Sequence, residues 1–202
     1  LAMEYLPIQN RWNENGGKGV YEGVTAKDKN VIILGGGDTG ADCLGTAHRQ
    51  GAKSVRQYEL LDRPPDQRSV DNPWPTWANI YRTSGAHEEG GERDYSILTK
   101  SFSGENGRVT ALEGVRLNWE QASDGRPIMN EIEGSQFSDP VDLVLLALGF
   151  LGPEPGGMLE QLGVGLSERG NVICDDDRMT NVPGVFAAGD MARGQSLIVW
   201  AI

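Results

Sequence analysis

The chain has 202 residues, of which 38% are hydrophobic and 23% are charged, and its formal net charge is −11 at pH 7. This size and composition are typical of one large soluble domain, or of one domain and part of another. The negative charge argues against nucleic acid or an anionic membrane as a partner, because either surface would repel the protein. No apolar run reaches about eighteen residues, so we expect no membrane span.

The first residues do not have the basic and apolar regions of a signal peptide, and Cys43 and Cys174 are the only cysteines. They lie far apart and form no CxxC motif. We predict two plain buried thiols, no metal site and a cytoplasmic protein. Residues 1–12 have a helix-like rhythm and precede a polar, glycine-bearing run. We therefore interpret residues 1–19 as a segment that connects to another domain.

A glycine-rich turn follows the first predicted strand, Asn30–Leu34, which is apolar and rich in β-branched residues. The turn has the G-x-G-x-x-G pattern, with its required positions at Gly35, Gly37 and Gly40. In a dinucleotide-binding turn the first glycine permits the tight bend and the second lets the backbone approach a pyrophosphate. The third lets the following helix pack close to the strand.

The sequence around the turn meets the structural requirements of this motif. A helix is predicted over Asp38–Gln50, Gly51 is suited to end it, and a second strand follows over Ser54–Leu60. Together they form a β-α-β unit of about thirty residues. The alternative is an ordinary turn in an α/β domain. The loop residues that we predict to bind a dinucleotide are Gly35, Gly36, Gly37, Asp38, Thr39 and Gly40.

Glu59 lies at the end of the second predicted strand, about where a carboxylate binds the adenine ribose of NAD. A carboxylate there repels the additional phosphate of NADP, whereas Arg63 and Arg68 could offset that repulsion or bind the phosphate. These residues favour NADH, and both cofactors stay open. Glu59 could equally be a solvated residue at a strand end.

Residues 62–94 contain four prolines and many charges, so we predict an ordered functional loop or lid without regular helix or central strand. Trp74 and Trp77 either stack on a nucleotide ring or pin the loop to the domain, and their size favours the second role. His48 and His87 have no partners that the sequence can identify. We predict both to be surface residues.

Hairpins are predicted from residue 95 onward. Strands are expected over Ile97–Phe102 and Val109–Trp119, separated by an Asn-Gly turn, and a buried strand over Val141–Leu148. The prediction is an α/β fold: a Rossmann-like, three-layer (ββα) dinucleotide-binding domain with an inserted antiparallel β-meander. Leu148 and Gly149 end the last strand, where a dinucleotide passes over the edge of the sheet.

The remaining residues begin with a Pro/Gly linker and a short helix, Met158–Leu162. Two short strands are predicted over Val172–Cys174 and Val185–Ala187, and an apolar helix from Gln195 to the end. Between the last strand and that helix stands a glycine–acid pair. The residues that could hold a polyol and a phosphate there are Gly189, Asp190, Gln195 and Ser196.

The segment TxxxGVFAAGD resembles the carboxy-terminal FAD motif of the two-dinucleotide-binding flavoproteins, which places Asp190 at the ribityl–phosphate part of the flavin. Nearly the whole chain resembles the small (beta) subunit of glutamate synthase. The matching stretches are VIILGGGDTGADCLGT, NPWPTW, YSILTK with GENGRV, DLVLLALGFLGPE and GVFAAGDMARGQSLIVWAI.

This resemblance implies a subunit that binds NAD(P)H and FAD and passes hydride from the nicotinamide to the flavin. Electrons would then reach a large (alpha) subunit through iron–sulfur clusters and support glutamate synthesis from glutamine and 2-oxoglutarate. The first FAD glycine motif and the cluster-binding cysteines of the family do not occur here. We therefore expect an incomplete FAD site, iron–sulfur clusters only elsewhere in the parent enzyme, and a fragment that is inactive alone.

On this basis residues 20–150 are the NAD(P)H-binding domain. Residues 1–19 connect it to an FAD-binding domain, to which residues 151–202 partly return. Hydride transfer depends on ring alignment, so no catalytic side chain is predicted. One alternative is a non-catalytic module that binds a nucleotide or a subunit. Another is an S-adenosylmethionine methyltransferase, but its usual G-x-G-x-G would need glycine where Thr39 stands.

Overall fold

A computed structural model describes residues 1–18 and 20–195 of the chain. The chain divides into two compact units, Leu1–Leu148 and Gly149–Ile202. Among the described residues, no helix is both long and apolar enough to cross a membrane. Nor does this part of the chain bring together three or more His, Cys, Asp or Glu side chains that could hold a metal ion.

The described residues of the first unit form three helices and eight strands. In chain order they are α1 (Ala2–Glu14), β1 (Asn30–Leu34), α2 (Asp38–Arg49), β2 (Ser54–Tyr58), α3 (Gly85–Glu88), β3 (Glu92–Asp94), β4 (Ile97–Glu105), β5 (Arg108–Gln121), β6 (Pro127–Glu131), β7 (Phe137–Pro140) and β8 (Leu143–Leu146). The described part of the second unit contains the short helices α4 (Met158–Leu162) and α5 (Asp190–Arg193). The helix predicted from Gln195 onward falls on residues 196–202, outside the described residues.

Four parallel strands form a sheet in the order β3-β2-β1-β8. In the middle of this sheet Ile33 of β1 stands beside Gln57 of β2 and Leu145 of β8. The predicted β-α-β unit is therefore confirmed, with a second strand that ends two residues earlier than expected. The strand predicted over Val141–Leu148 is also shorter, because only Leu143–Leu146 pair with β1.

The edge strand β3 corrects the prediction for residues 62–94. Prolines prevent regular structure in the first part of that segment, but they stop at residue 75. The following residues form α3 and then β3, which pairs with β2 from Arg56↔Glu92 to Tyr58↔Asp94. A three-residue edge strand carries too little pattern to be found in a charged sequence.

The two faces of the parallel sheet are covered by different layers, because side chains alternate along a strand. Val31 and Ile33 of β1 belong to one core cluster with residues of α1 and α2, such as Tyr5 and Leu44. Their neighbours Ile32 and Leu34 belong to the other cluster, which includes residues of the antiparallel sheet. This alternation confirms the predicted three-layer ββα arrangement.

The antiparallel sheet is built around β5, which is 14 residues long. Strand β4 pairs with it through the predicted Asn-Gly turn, where Asn106 and Gly107 both have positive φ, +52° and +74°. Strands β4, β5 and β6 form a meander. Strand β7 departs from the meander, because it pairs with β5 instead of with β6. It lies on the opposite side of β5 from β4.

Helix α1 packs within the first unit. Ala2 and Tyr5 are buried in the helix-side core, and the Tyr5 hydroxyl donates a hydrogen bond to Gln50 Oε1 at 2.9 Å. Pro7 lies in the first part of the helix and does not interrupt it. Residues 1–14 therefore contribute to the fold that carries the glycine turn.

The second unit has a small core of Leu159, Val172 and Ala187. Helix α4 has the predicted bounds. The prediction of two short strands in this unit is wrong, because these residues form only single β-bridges, such as Cys174↔Thr180. The cysteine prediction is half correct. Burial raises the pKa of the Cys43 thiol to about 12, whereas Cys174 is only half-buried.

Creating a cavity in the core between the two sheets should strongly lower the free energy of unfolding. Leu112 of β5 is fully buried against the parallel sheet, so Leu112→Ala should lower the free energy of unfolding by about 2–5 kcal/mol. Val70→Ala, at a side chain that is 92% exposed, is the control and should change it by less than about 0.5 kcal/mol. Denaturant unfolding measures both, and equal effects would contradict the layer assignment.

Candidate functional site

The turn that leaves β1 requires glycine at its first position. Gly35 has φ of +119°, and a Cβ there would overlap the carbonyl oxygen of Ala147. Its N–H donates to Tyr58 O at 2.9 Å, and Ala147 N–H donates to Leu34 O at 2.8 Å. The turn is thus held between β2 and the end of β8, and the fold itself excludes a side chain at this position.

Gly40, in the first turn of α2, is required for a second reason. A Cβ there would overlap the carbonyl oxygen of Gly35 and lie 2.5 Å from Gln57 Nε2. The helix therefore begins in direct contact with the turn that precedes it. This is the close helix–strand packing predicted from the third glycine of the motif.

Gly37 differs from both, because no contact among the described residues requires a glycine there. It is the N-cap of α2 with φ of −81° and ψ of −174°, an extended conformation that any residue adopts. A Cβ would have no atom within 4 Å. Beyond it lie the N–H groups of Asp38, Thr39 and Gly40, which have no acceptor within an α-helix. Open space at this position and N–H donors facing it fit a phosphate group.

Glu59 lies beside the glycine turn, as the prediction requires. Its Oε2 accepts a hydrogen bond from Gly36 N–H at 2.6 Å, and its Oε1 accepts one from Leu61 N–H at 3.1 Å. The structure therefore shows a role that the sequence did not predict, which is to tie the end of β2 to the turn. Each carboxylate oxygen has a further lone pair, so Glu59 can still accept a hydroxyl group.

The two predicted phosphate-binding arginines make their contacts within the loop after β2. Arg63 pairs with Asp66 at 2.6 Å and lies 3.9 Å above the ring of Tyr81. Arg68 donates to the carbonyl oxygens of Asn72 and Thr76, at 2.9 and 2.8 Å. Arg68 is therefore already used to hold the loop together.

The tryptophans of the same loop do not pin it to the domain. Trp74 is 83% exposed and Trp77 is 62% exposed, with the guanidinium of Arg82 placed 4.2 Å from the Trp77 ring centre. The favoured prediction for these residues is wrong. Their stacking on a nucleotide ring remains a prediction.

The histidine prediction is wrong as well, because both side chains are partly buried. His48 Nε2 is buried without a hydrogen-bond partner among the described residues. His87 Nε2 lies 3.0 Å from Gln57 Oε1, and Gln57 Nε2 donates to Gly35 O at 2.8 Å. Gln57, which is 2% exposed, is a buried polar residue at the glycine turn that the sequence analysis missed. Its only signal was an amide side chain inside a strand next to the glycine turn.

In the second unit the predicted glycine–acid pair stands where expected, after residues 185–187. Gly189 has φ of +62°, Asp190 begins α5, and a cleft of about 380 Å³ lies beside Gly189 and Arg193. Gln195 Oε1 accepts from Phe150 N–H at 2.9 Å, which places it beside Gly149.

Two further predicted site residues lie elsewhere. Leu148, the last residue of the first unit, is exposed. Ser196 lies outside the described residues.

The sequence pattern of the pyridine nucleotide-disulphide oxidoreductases matches residues 8–202. The small chain of an NADPH-named glutamate synthase from Mycobacterium tuberculosis is 56% identical over 204 residues; the match covers 100% of this chain and 41% of that protein. The NADH-named glutamate synthase of Schizosaccharomyces pombe is 50% identical over 191 residues. That match covers 89% of this chain and 9% of the yeast protein.

Thioredoxin reductase from T. acidophilum has a similar fold, with a TM-score of 0.55 and 24% identity over 87% of this chain and 48% of that one. These comparisons confirm the predicted resemblance to the glutamate synthase small subunit and the Rossmann-type fold. The chain spans less than half the length of the small chains it matches.

The geometry of the turn predicts that the same substitution, glycine to alanine, has a large effect on stability at Gly40 and a small effect at Gly37. Gly40→Ala should destabilise the protein by about 1–3 kcal/mol, because its methyl group overlaps backbone that cannot move freely. Gly37→Ala should change stability by less than about 1 kcal/mol, because its methyl group meets open space and only the poorer N-capping of alanine acts against it. Thermal and denaturant unfolding compare the two, and a larger loss at Gly37 would contradict this assignment.

Proposed function

Because the chain belongs to the pyridine nucleotide-disulphide oxidoreductase family, we propose that its first unit binds NADH or NADPH for hydride transfer to FAD. The observation that carries this proposal is the contrast among three glycines. Gly35 and Gly40 are required by packing within the chain, whereas Gly37 leaves free space at the start of α2. A binding turn needs such a position, since a pyrophosphate must approach the backbone there.

The chain's own contribution is to bind and orient the dinucleotide. The N–H groups at the start of α2 and the positive end of its dipole would hold the pyrophosphate, with Gly37 permitting close approach. Glu59 would accept a ribose hydroxyl group with the lone pairs that Gly36 and Leu61 leave free. When bound, a reduced nicotinamide supplies a hydride and a flavin accepts it. Alignment of the two rings needs no acid–base side chain, so we assign none.

Preference between the two nucleotides depends on the charges near Glu59. Its carboxylate disfavours the 2′-phosphate of NADPH, and Arg63 is the nearby cation that could oppose this effect, although it is paired with Asp66. Relatives are named for each nucleotide, so the names do not decide between them. The carboxylate is fixed by two N–H groups at the turn, and on that basis we favour NADH.

For the second unit we propose a partial FAD site, in which Gly189 and Asp190 bind the ribityl–phosphate part of the flavin. Gln195 and Ser196 would contribute to the same site. The parent enzyme would supply the remaining FAD contacts and the iron–sulfur clusters. With a large subunit it would make glutamate from glutamine and 2-oxoglutarate, as the names of the relatives suggest. A cytoplasmic location is part of the same proposal.

The alternative is a module that binds a nucleotide without taking part in catalysis. The two hypotheses differ in what happens when FAD and NAD(P)H are both supplied. Bleaching of added FAD by NADH in the presence of the protein would support the oxidoreductase. Tight nucleotide binding without any flavin reduction, even in the presence of the parent enzyme's remaining segments, would support the module.

Nucleotide affinity tests the proposed site directly. In a calorimetric titration the protein should bind NADH or NADPH, and Gly37→Val should weaken binding more than about tenfold, or about 1.4 kcal/mol, by filling the space for the pyrophosphate. Gly156→Val is the matched control, because a Cβ there also meets open space. Unchanged affinity in a folded Gly37→Val protein would contradict the assignment.

Removing the charge of Glu59 should change nucleotide preference. Glu59→Gln keeps the size of the side chain and one acceptor oxygen but removes the repulsion of a 2′-phosphate. The ratio of NADPH to NADH affinity should rise about five- to tenfold, or about 1–1.4 kcal/mol, when the same titrations are repeated. An unchanged ratio would mean that Glu59 serves only to hold Gly36.

A further inference from the structure

A chain of hydrogen bonds runs from the glycine turn to the short helix α3. Gln57 Nε2 donates to Gly35 O at 2.8 Å, and Gln57 Oε1 lies 3.0 Å from His87 Nε2. On its other side, His87 Nδ1 lies 3.2 Å from Ser84 N and 3.0 Å from Ser84 Oγ. Two side chains, Gln57 of β2 and His87 of α3, thus connect α3 by hydrogen bonds to Gly35, the first residue of the turn.

The direction of every bond in this chain is fixed by chemistry. Gly35 O can only accept, so the amide group of Gln57 faces it and Gln57 Oε1 faces His87. That oxygen also only accepts, so His87 Nε2 must carry a proton. Ser84 N–H can only donate, so His87 Nδ1 must have its lone pair free. The arrangement is satisfied by one form of the imidazole, the neutral Nε2–H tautomer.

The charges around His87 support this form. Burial lowers the pKa of His87 below its ordinary value of 6.5, and the guanidinium of Arg93 on β3 lowers it further. Arg93 Nη1 lies 3.4 Å from His87 Nδ1. Asp38 of α2 acts in the opposite direction and raises the pKa, without reversing the net effect. A proton on Nδ1 would face both Ser84 N–H and this guanidinium.

Gln57 also sets the distance between the turn and the helix. Its Nε2 would lie 2.5 Å from a Cβ at Gly40, so it occupies the space where the start of α2 meets the carbonyl of Gly35. Without its hydrogen bond, Gly35 O would lose the donor that holds it in the buried strand end. The N–H groups of Gly36 and Gly37 follow directly in the chain, and their direction depends on that carbonyl.

We propose that Gln57 and His87 are positioning residues, which hold the glycine turn in the conformation that receives a dinucleotide. Neither side chain needs to touch the nucleotide. His87 holds Gln57 by its Nε2–H group, Gln57 holds Gly35 O, and the turn then presents its N–H groups to the pyrophosphate. This inference rests on the proposed function, because it assumes that the turn binds NAD(P)H.

A dependence on pH follows from the tautomer. Above pH 6.5 His87 is neutral and the turn is held, so affinity should not vary with the charge of His87. As the pH falls below 6.5 and through the lowered pKa, protonation of Nδ1 breaks its bond with Ser84 N–H. The imidazole then leaves its position and affinity falls. Protein stability changes with the same sign, because the unfolded chain takes up the proton first.

Three variants test the proposal by calorimetric titration with the better ligand of NADH and NADPH between pH 5.5 and 8. His87→Gln keeps an N–H donor toward Gln57 but does not titrate. Any effect of pH on the nucleotide itself is the same for the wild type and for this variant, so the difference between their pH profiles reports on His87. Gln57→Leu removes the donor to Gly35 O. His48→Gln is the matched control, because His48 is the only other histidine and has no place in this chain of bonds.

The affinity of the wild type should fall at least about threefold relative to His87→Gln between pH 7.5 and 5.5. Gln57→Leu should bind about tenfold more weakly at every pH, while remaining folded by circular dichroism. His48→Gln should follow the wild type. Parallel pH profiles for wild type and His87→Gln would overturn the proposal. Affinity that rises in the wild type alone at low pH would also overturn it, since His87 would then be a direct cationic contact.

A second measurement separates this inference from the proposed function. Nitrogen NMR of the histidine rings in nucleotide-free protein at pH 7 should show His87 as the neutral Nε2–H tautomer. The amides of Gly35 and Gly36, which donate to Tyr58 O and Glu59 Oε2, should exchange with solvent faster in Gln57→Leu than in the wild type. If the wild type binds no dinucleotide, the proposed function fails, and these data still decide whether Gln57 and His87 hold the turn. An Nδ1–H tautomer or unchanged exchange would overturn it.

Discussion

Helix α2 begins in contact with the turn that ends β1, and this contact constrains much of the first unit. A side chain at Gly40 would overlap Gly35 O, and a side chain at Gly35 would overlap Ala147 O. Backbone from two neighbouring strands and one helix therefore converges within a space that holds no additional carbon atom. Of the glycines in this motif, Gly37 is the one where a Cβ meets no described atom within 4 Å, so the packing that closes the turn leaves room for a ligand there.

The layers on either side of the sheet make this contact possible. Alternation along β1 sends Val31 and Ile33 toward the helices and Ile32 toward the antiparallel sheet, so the strand is buried on both faces. The strand that leads into the glycine turn is therefore packed on both of its faces. Arg116 of β5 adds a surface link, because it pairs with Asp94 of β3 at 2.7 Å and so joins the two sheets.

The elements with strong local signals were predictable, and those that depend on long-range contacts were not. Asn30–Leu34, α2 and the Asn-Gly turn follow from periodicity and turn chemistry. The edge strand β3 did not, because its three charged residues carry no apolar pattern and, among the described residues, its backbone pairing with β2 is reinforced only by the ion pair between Arg56 and Glu92. Glu59 was found by its spacing, but its bonds to Gly36 and Leu61 were not. Gln57 and His87 are thirty residues apart, and no sequence pattern connects them.

A crystal structure of the protein with its preferred dinucleotide bound would test the glycine turn most directly. We expect pyrophosphate oxygens within hydrogen-bonding distance of the N–H groups at the start of α2, with a phosphate against the Cα of Gly37. We also expect Gly35 O to stay bonded to Gln57 and Glu59 to keep its bond to Gly36. A dinucleotide bound away from Gly37, or a turn that rebuilds to receive it, would contradict the claim that the turn is formed in advance.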